Sequence, residues 1–233
     1  MKLNKLMFRE YDIRGIWNED ITEEISYYIG RAYATKLLSL KKNKMIVGYD
    51  NRLSSPIIEK NLVKGLTDGG VDVVRLGLVT TPMYYYAWDK LNIHCGIMIT
   101  ASHNPKEYNG FKMSYNGIHN CFGNEVAELY YIILNGIYSK GNGSITDANI
   151  KEDYIKMINS HINMGSNKLK VIYDCGNGTT SIVAKDIFVS NDNIEYIPLF
   201  AESDGTFPNH HPDPAVESNL TILKEKVKEL NAD

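Results

Sequence analysis

The sequence predicts an α/β fold made of two consecutive domains, and three observations support this prediction. Short apolar runs, such as 45–48, 71–76 and 96–99, have the length of buried strands. Longer segments between them repeat apolar residues at helical spacing. The same alternation starts again near residue 150, beyond a polar stretch rich in glycine and asparagine. We therefore expect one α/β domain followed by the beginning of a second.

The first domain is predicted to open with a helix over residues 20–40. Asp20 can serve as its N-cap with Glu23 three residues later, and apolar residues recur every four positions along one face. The dipeptides Asn109-Gly110 and Asn116-Gly117 are typical of tight turns, so segment 111–115 between them is predicted to be a short strand. The other elements expected here are strand 45–48, a helix from 54–56 to 69–70, strand 71–76, helix 80–88, strand 96–99 and helix 123–134.

The polar stretch 135–147 is predicted to be the domain boundary, dividing the chain into domains 1–147 and 148–233. The expected elements of the second domain are helix 150–162, strand 169–173, helix 179–189, strand 194–199 and helix 220–230. The sequence stops directly after the last helix, where the alternating pattern requires another strand. We therefore expect the second domain to be incomplete.

The composition favours a cytoplasmic protein. A formal net charge of −3 gives no basic surface for nucleic acid or an anionic membrane. The N-terminus lacks the apolar core of a signal peptide, and no apolar run approaches the roughly 18 residues of a membrane span. Three widely spaced cysteines are expected to be reduced thiols rather than a zinc site.

The most informative segment, 100–105, reads Thr-Ala-Ser-His-Asn-Pro and follows a predicted buried strand. Loops at the ends of core strands commonly carry chemistry, so Ser102 is the candidate nucleophile; a plain turn residue is the alternative. An acyl-transfer triad is disfavoured because the segment has no G-x-S-x-G elbow. A phosphoryl carrier fits better, since that chemistry depends on positioning and on nearby cations such as Lys112.

Three further segments have both a functional and a structural interpretation. Segment 8–15 contains two arginines, which suit phosphate recognition but also fit a salt-bridged N-terminal strand. Segment 174–181 invites a phosphate-loop interpretation, yet it lacks the lysine and spacing of such loops, so a tight strand-to-helix turn is favoured. His210 and His211 could suggest a metal, but adjacent side chains diverge and the flanking prolines favour a rigid loop.

Together these motifs resemble the α-D-phosphohexomutase family, the phosphomannomutase and phosphoglucomutase enzymes. The resemblance extends over nearly the whole chain and implies two consecutive α/β sandwich domains of the phosphohexomutase type. The wording of the motifs is nearer to this subgroup than to the phosphoglucosamine mutases. The motifs that carry it, in the order of the family, are FREYDIRG at 8–15, GYDNR at 48–52, TASHNP at 100–105, NGFK at 109–112, DCGNG at 174–178 and FPNHHPDP at 207–214.

The resemblance also implies roles for individual residues. Ser102 corresponds to the serine that gives its phosphoryl group to a bound hexose phosphate and takes the other one back from the bisphosphorylated sugar. Arg14 and Lys112 correspond to catalytic cations that also bind the substrate, and Lys112 to a residue that helps to move the proton. Tyr11 corresponds to a substrate-binding residue and His103 to a catalytic residue of the same site. The family's Mg²⁺ is held by the phosphate on the serine and by three aspartates of a D-G-D-x-D-R loop.

The chain departs from the family in lacking any D-G-D-x-D-R sequence. In the family that loop follows the helix corresponding to 220–230, so its aspartates are expected beyond residue 233, together with two further domains. We expect an N-terminal part of a hexose 6-phosphate/hexose 1-phosphate mutase for mannose, glucose or both, inactive alone. A non-catalytic module that pairs with a separate C-terminal half is the alternative, and a serine hydrolase is a third hypothesis.

Overall fold

Two units are distinguished in the computed structural model of the protein, which describes residues 3–117 and 119–233. The first unit comprises Met1–Ser102 and Glu107–Asn149, and the second comprises His103–Lys106 and Ile150–Asp233. Among the described residues, no helix is both long enough and apolar enough to cross a membrane. All three cysteines are buried free thiols.

A six-stranded mixed sheet, in the order β1-β5-β4-β2-β3-β6, organises the first unit. Strands β4, β2, β3 and β6 run parallel, while β5 pairs antiparallel with β4 and with β1. The elements of this unit are β1 (Ile13–Ile16), α1 (Glu23–Ser39), β2 (Lys44–Tyr49), α2 (Ser55–Asp68), β3 (Asp72–Leu78), α3 (Thr81–Leu91), β4 (Gly96–Ile99), β5 (Tyr108–Ser114), α4 (Asn124–Asn135) and β6 (Ile145–Asp147).

Helices cover both faces of this sheet, so its central strands are buried on both sides. Side chains alternate along a strand, and Ile97 and Ile99 of β4 belong to the hydrophobic core formed with α1, α2 and α4. Gly96 lies on the opposite face, where an added Cβ would meet the hydroxyl oxygen of Tyr84 on α3 at 2.9 Å. The continuous apolar runs seen in the sequence are therefore strands buried on both faces.

The first helix begins two residues later than its capping pattern predicted. Thr22 is the N-cap, and its Oγ1 accepts a hydrogen bond from the Ile25 N–H at 3.1 Å. Asp20 instead accepts the Ile16 N–H at 3.1 Å and stabilises the preceding turn. The predicted apolar face of the helix is confirmed, since Ile25, Ile29, Tyr33 and Leu37 are all buried.

The predicted turn at Asn109-Gly110 is wrong, because both residues lie inside β5. Glycine serves here for close packing rather than for a turn. A Cβ at Gly110 would stand 2.4 Å from the Ile13 carbonyl oxygen and 3.0 Å from that of Thr100. The missing side chain lets β1 and the end of β4 approach β5 from its two sides.

The glycine-rich stretch 135–147 belongs to the first unit and packs against the end of α2. The Gly143 N–H donates to the Thr67 carbonyl at 2.9 Å, and the Ser139 hydroxyl donates to the Gly69 carbonyl at 2.9 Å. The stretch ends in β6, a short strand that the sequence did not reveal. The chain passes to the second unit after Asn149.

The second unit is built on a two-stranded parallel sheet. The predicted helix over 179–189 is interrupted at Val183, whose φ of −130° separates a 3₁₀ turn from a short helix. Two threonines and two β-branched aliphatic residues explain the interruption, since these types have weak helix propensity. The elements are α5 (Lys151–His161), β7 (Leu169–Asp174), the 3₁₀ turn Thr179–Ile182, α6 (Ala184–Phe188), β8 (Ile194–Leu199) and α7 (Thr221–Leu230).

Candidate functional site

Ser102 lies in the loop after β4, at the edge where the parallel strands of the first unit end. It is exposed, and its backbone is left-handed with a φ of 57°, a conformation that costs most residues other than glycine free energy. The Ser102 N–H donates to Oγ1 of Thr100 at 3.0 Å, and its carbonyl accepts from Nη2 of Arg52 at 3.0 Å. The Ser102 side chain is thus exposed, while hydrogen bonds fix both the N–H and the carbonyl of its backbone.

Arg52 is the buried group that fixes this loop. Its side chain is 1% exposed, and Nη1 donates to the Tyr108 carbonyl at 3.1 Å while Nε contacts Oδ2 of Asp50 at 3.3 Å. Burial lowers the pKa of the Arg52 guanidinium and the Asp50 carboxylate opposes that shift. One guanidinium therefore joins the loop after β2, the loop after β4 and the start of β5.

A buried polar cluster supports Arg52 from below. Oδ1 of Asp50 accepts from the Ser55 hydroxyl at 2.8 Å and from the Arg52 N–H at 3.1 Å. The Asn109 amide donates to the hydroxyls of Ser54 and Ser55 at 2.8 and 3.0 Å. Because these partners satisfy one another, the cluster can hold a fixed geometry inside the domain.

Arg14 and Lys112 lie on the same face of the sheet. Arg14 pairs with Gly110 across β1 and β5, and Lys112 pairs with Met98 across β5 and β4. Paired residues of antiparallel strands point the same way, as do residues two apart on one strand, so both cations lie opposite the core face. Diagonal neighbours of this kind are about 7–8 Å apart.

Thr100 and Arg14 lie on opposite sides of Gly110. The Thr100 N–H donates a hydrogen bond to the Gly110 carbonyl at 3.0 Å. The beginning of the Ser102 loop and Arg14 thus flank the same glycine. The ammonium group of Lys112 forms no hydrogen bond or ion pair within residues 3–117 and 119–233. The sheet therefore gathers two cations next to the strand end that carries Ser102.

Arg14 is 8% exposed and forms an ion pair with Asp12, which is 1% exposed. The second carboxylate oxygen of Asp12, Oδ1, is buried and has no hydrogen-bond partner among the described residues. This pair agrees with the structural interpretation of segment 8–15 as a salt-bridged strand, and it also places a guanidinium near the Ser102 loop.

Tyr11 and His103 are both exposed. Tyr11 stands in the turn between Phe8 and Ile13, which form an isolated bridge, and its side chain is 65% exposed. His103 follows Ser102 in sequence but is grouped with the second unit. The first unit thus brings Ser102, Arg14, Lys112 and Tyr11 to neighbouring elements, and His103 directly follows Ser102 in the chain.

Sequence reasoning missed the support given by Asp50, Arg52 and Asn109. All three lie within the quoted motifs 48–52 and 109–112, but the arginines of strand-end loops were interpreted only as cations for a phosphate. The sequence did contain a signal for this support: an aspartate, Asp50, two residues before Arg52 at the end of a buried strand. Arginine is seldom buried without a partner, so this spacing indicates a buried ion pair.

The described residues do not form a metal site on their own, because nowhere in 3–117 and 119–233 do three His, Cys, Asp or Glu side chains converge. The donor set therefore does not match the carboxylate-rich coordination that Mg²⁺ prefers. We derive no chemical step through a metal.

The two motifs of the second unit are structural in form. Segment 174–181 forms a tight turn, as expected. Gly176 and Asn177 both have a φ of 53°, and the Gly178 N–H donates to the Cys175 carbonyl at 2.8 Å. His210 lies 3.1 Å from a carboxylate oxygen of Asp174, whereas His211 is exposed. The two histidines thus diverge, and His210 connects the proline-rich loop to the end of β7.

Comparison with known families gives two matches that together cover most of the chain. The domain described as "Phosphoglucomutase/phosphomannomutase, alpha/beta/alpha domain I" matches residues 5–136. The domain described as "Phosphoglucomutase/phosphomannomutase, alpha/beta/alpha domain II" matches residues 152–233.

Individual relatives agree with these matches. The chain is 44% identical to a phosphomannomutase/phosphoglucomutase of Pseudomonas syringae pv. tomato, over 97% of this chain and 48% of the relative. It is 38% identical to a phosphoglucomutase of Neisseria meningitidis serogroup B, over 97% and 49% respectively. A crystal structure of a phosphoglucomutase/phosphomannomutase family protein from Burkholderia thailandensis aligns with a TM-score of 0.93 at 33% identity, covering all of this chain and 52% of that one. The chain thus spans about half the length of the curated relatives it matches.

Proposed function

The chain belongs to the phosphoglucomutase/phosphomannomutase family, and from this premise we propose that it supplies the phosphoryl-carrying part of a hexose-phosphate mutase. The reaction is the interconversion of a hexose 6-phosphate and a hexose 1-phosphate, with mannose, glucose or both as the sugar. The observation that carries the proposal is the Ser102 loop, fixed by the buried Arg52 beside a sheet face that bears two cations.

The proposed chemistry is a pair of phosphoryl transfers at Ser102. In the first, the bond between phosphorus and Oγ of phosphorylated Ser102 breaks as a bond forms to the free hydroxyl oxygen of the hexose phosphate, whose proton passes to a basic group of the site. The bisphosphorylated sugar then turns, and its other phosphoryl group returns to Ser102. Such transfers depend on in-line positioning and on stabilisation of negative charge, which a rigid loop and fixed cations provide.

The remaining site residues have roles consistent with their positions. Arg14 and Lys112 are proposed to bind the oxygens of the transferring phosphoryl group and the substrate, and Lys112 also to assist the proton transfer. The Lys112 ammonium group forms no hydrogen bond or ion pair within residues 3–117 and 119–233, so no protein group there competes with a ligand for it. Tyr11 is proposed to contact the sugar phosphate from its exposed turn, and His103 to act next to Ser102 as a catalytic side chain.

Mg²⁺ is part of the proposal only through Ser102. Phosphate oxygens on this serine are hard ligands of the kind that Mg²⁺ prefers. The other ligands are proposed to come from the part of the relatives that this chain does not span. The chain alone is accordingly proposed to have no mutase activity. The alternative is a non-catalytic module that pairs with a separate C-terminal half.

The test joins this chain to the portion of the Pseudomonas syringae relative that lies beyond the matched region. We expect the fusion to convert glucose 1-phosphate to glucose 6-phosphate in a coupled dehydrogenase assay, and the 233-residue chain alone to show no turnover. Ser102→Ala is expected to lower kcat of the fusion by several orders of magnitude, because the nucleophile is removed. Intact-mass spectra of the active fusion should show one added phosphoryl group that maps to Ser102.

Ser166→Ala is the matched control, since Ser166 is an exposed serine of the second unit, and it should leave the rate and the phosphorylation unchanged. Turnover by Ser102→Ala, or a phosphate mapped elsewhere, would contradict the role of Ser102. Turnover by the chain alone would contradict the proposal that its site is incomplete. A folded fusion that binds glucose 1-phosphate without turning it over would favour the non-catalytic module.

A further inference from the structure

A polar cavity that is open to solvent lies within the first unit, at the ends of β2, β3 and β6. Its volume is about 570 Å³, and it is lined by Tyr49, Glu59, Arg75, Leu76, Gly77 and residues 147–149. Tyr49 and Asp147 are the last residues of their strands, so the cavity opens at the carboxyl edge of the parallel part of the sheet. Ligands of α/β proteins bind at this edge. Of the strands that line the cavity, β2 is the neighbour of β4, while β3, which carries Arg75 and Gly77, is about 10 Å along the sheet from β4.

Glu59 is a largely buried carboxylate in the lining of this cavity. It projects from the first turns of α2, is 8% exposed, and its Oε1 has no hydrogen-bond partner among the described residues. A buried carboxylate normally accepts several hydrogen bonds, and leaving one of its oxygens without a donor is unfavourable. The lining of the cavity therefore contains a carboxylate, Glu59, with one oxygen that accepts no hydrogen bond from the described residues.

The backbone around the cavity is shaped to leave room. The pairing of β2 with β3 shifts by one residue here, so that Val47 pairs with Arg75 but Gly48 pairs with Gly77. This irregularity is a β-bulge of the kind common next to binding sites. Gly77 has a φ of 68°, and an added Cβ would meet no atom within 4 Å. Both the β-bulge and the absence of a side chain at Gly77 thus leave room in the cavity.

The charges around the cavity select the chemistry of the occupant. Arg75 binds both carboxylate oxygens of Asp147, at 2.8 and 3.2 Å, so Asp147 is already satisfied. Glu59 is then the one carboxylate of the lining that lacks a donor. A divalent cation needs more oxygen ligands than a single carboxylate provides, and no group of three acidic, histidine or cysteine side chains forms among the described residues. A group that combines one positive charge with N–H donors fits better.

We propose that the Glu59 cavity binds a small primary amine, whose ammonium group donates to the carboxylate of Glu59 and whose carbon chain lies along Leu76 and Ala148. This site is separate from Ser102, and the proposal does not depend on the mutase function.

Binding is expected to strengthen as the pH rises through about 6. Burial raises the pKa of Glu59 to about 6, with Arg75 opposing this shift and Asp147 adding to it. The amine stays protonated over this range. The other titratable groups of the lining are Tyr49, Arg75 and Asp147; the pKa of Tyr49 is raised by burial and that of Arg75 is raised by its hydrogen bond to Asp147.

The experiment is an NMR titration of the ¹⁵N-labelled chain with n-propylammonium chloride to about 100 mM at constant ionic strength. A ligand with so few atoms is expected to bind with a Kd of about 1–10 mM at pH 7.5. The amide signals of Gly77 and Ala148 should shift saturably. With a pKa of Glu59 near 6, binding at pH 5 should be about tenfold weaker than at pH 7. Glu59→Gln should also weaken binding at least tenfold, and n-propanol should not bind.

Glu19→Gln is the matched control, because Glu19 is an exposed carboxylate in a turn outside the cavity, and it should bind n-propylammonium as the parent does. The proposal is overturned if no signal of the cavity lining shifts saturably. It is equally overturned if n-propanol shifts the same signals with the same Kd, or if Glu59→Gln binds n-propylammonium unchanged. The two-dimensional spectrum of Glu59→Gln shows in the same measurement that the variant is folded.

Discussion

At the scale of single residues, Ser102 and Glu59 each have a feature that lowers the free energy of unfolding. Ser102 adopts a left-handed backbone conformation, and Oε1 of Glu59 is buried without a hydrogen-bond donor among the described residues. Strain and unsatisfied polar groups of this kind concentrate at functional positions. Both residues lie at the same edge of the sheet, where parallel strands end.

Glu59 gives the stability of the protein a specific dependence on pH. Burial raises its pKa from the ordinary 4.5 to about 6, so between these values the folded protein holds a proton that the unfolded chain has lost. The contribution of this site to the free energy of unfolding therefore falls as the pH rises from about 4.5 to 6. Relative to Glu59→Gln, we expect the parent to lose about 1–2 kcal/mol between pH 4 and pH 7, measured by urea unfolding.

The comparison of parent and variant cancels the titration of all other groups. Glu19→Gln should leave the pH profile of the parent unchanged, since it changes an exposed carboxylate. Parallel profiles for the parent and Glu59→Gln would show that the Glu59 carboxylate is solvated as in the unfolded chain.

At the scale of elements, Arg52 is the connection among the loops of the candidate site. It donates to the carbonyls of Ser102 and Tyr108 and contacts Asp50, which connects the ends of β2 and β4 with the start of β5. Replacing it leaves the Asp50 carboxylate buried and uncompensated. We expect Arg52→Met to lower the free energy of unfolding by about 3–5 kcal/mol in urea unfolding at pH 7.

Arg75→Met is the control, because it breaks an exposed ion pair with Asp147 and should cost at most about 1 kcal/mol. The double variant Asp50→Asn/Arg52→Met should recover part of the loss, since no uncompensated charge then remains. Equal costs for Arg52→Met and Arg75→Met would mean that the buried guanidinium does not hold the loops together.

The sequence predicted the order of helices and strands well where periodicity and caps act locally. Strands β4 and β8 have the predicted bounds, because a run of apolar residues between polar ones determines a buried strand directly. The turn predicted at Asn109-Gly110 was wrong for a non-local reason. A side chain at position 110 would clash with the carbonyls of Thr100 and of Ile13, and Ile13 lies far from Gly110 in the sequence.

The candidate site could be predicted in the same unequal way. Ser102 was selected as the candidate nucleophile because its neighbours in the sequence are unusual for a connecting loop, and its role stays a prediction. Arg14 and Lys112 share one face of the sheet because of the register among three strands. No local sequence pattern specifies that register. The Glu59 cavity was not foreseen at all, since a glutamate on an amphipathic helix looks like any solvated charge until the β-bulge beside it is known.

At the scale of the whole molecule, the two units differ in how completely their sheets are buried. In the first unit β2 and β4 are central strands covered on both faces, and every residue of β4 is buried. In the second unit β7 and β8 form a sheet of two strands, and neither contains a fully buried residue. A two-stranded sheet has little stability of its own. The free energy of opening should therefore differ between the units.

We expect native-state hydrogen exchange to resolve this difference. Amides of Ile46 and Val47 in β2 should exchange at least about tenfold more slowly than the ladder amides of Val171 and Ile172 in β7, because strands of the larger core open only with the whole unit. Both pairs lie in parallel ladders, so intrinsic strand geometry is matched. Equal protection would require the second unit to share the stability of the first. The half-covered strands of the second unit would then need a source of stability other than burial of their own side chains.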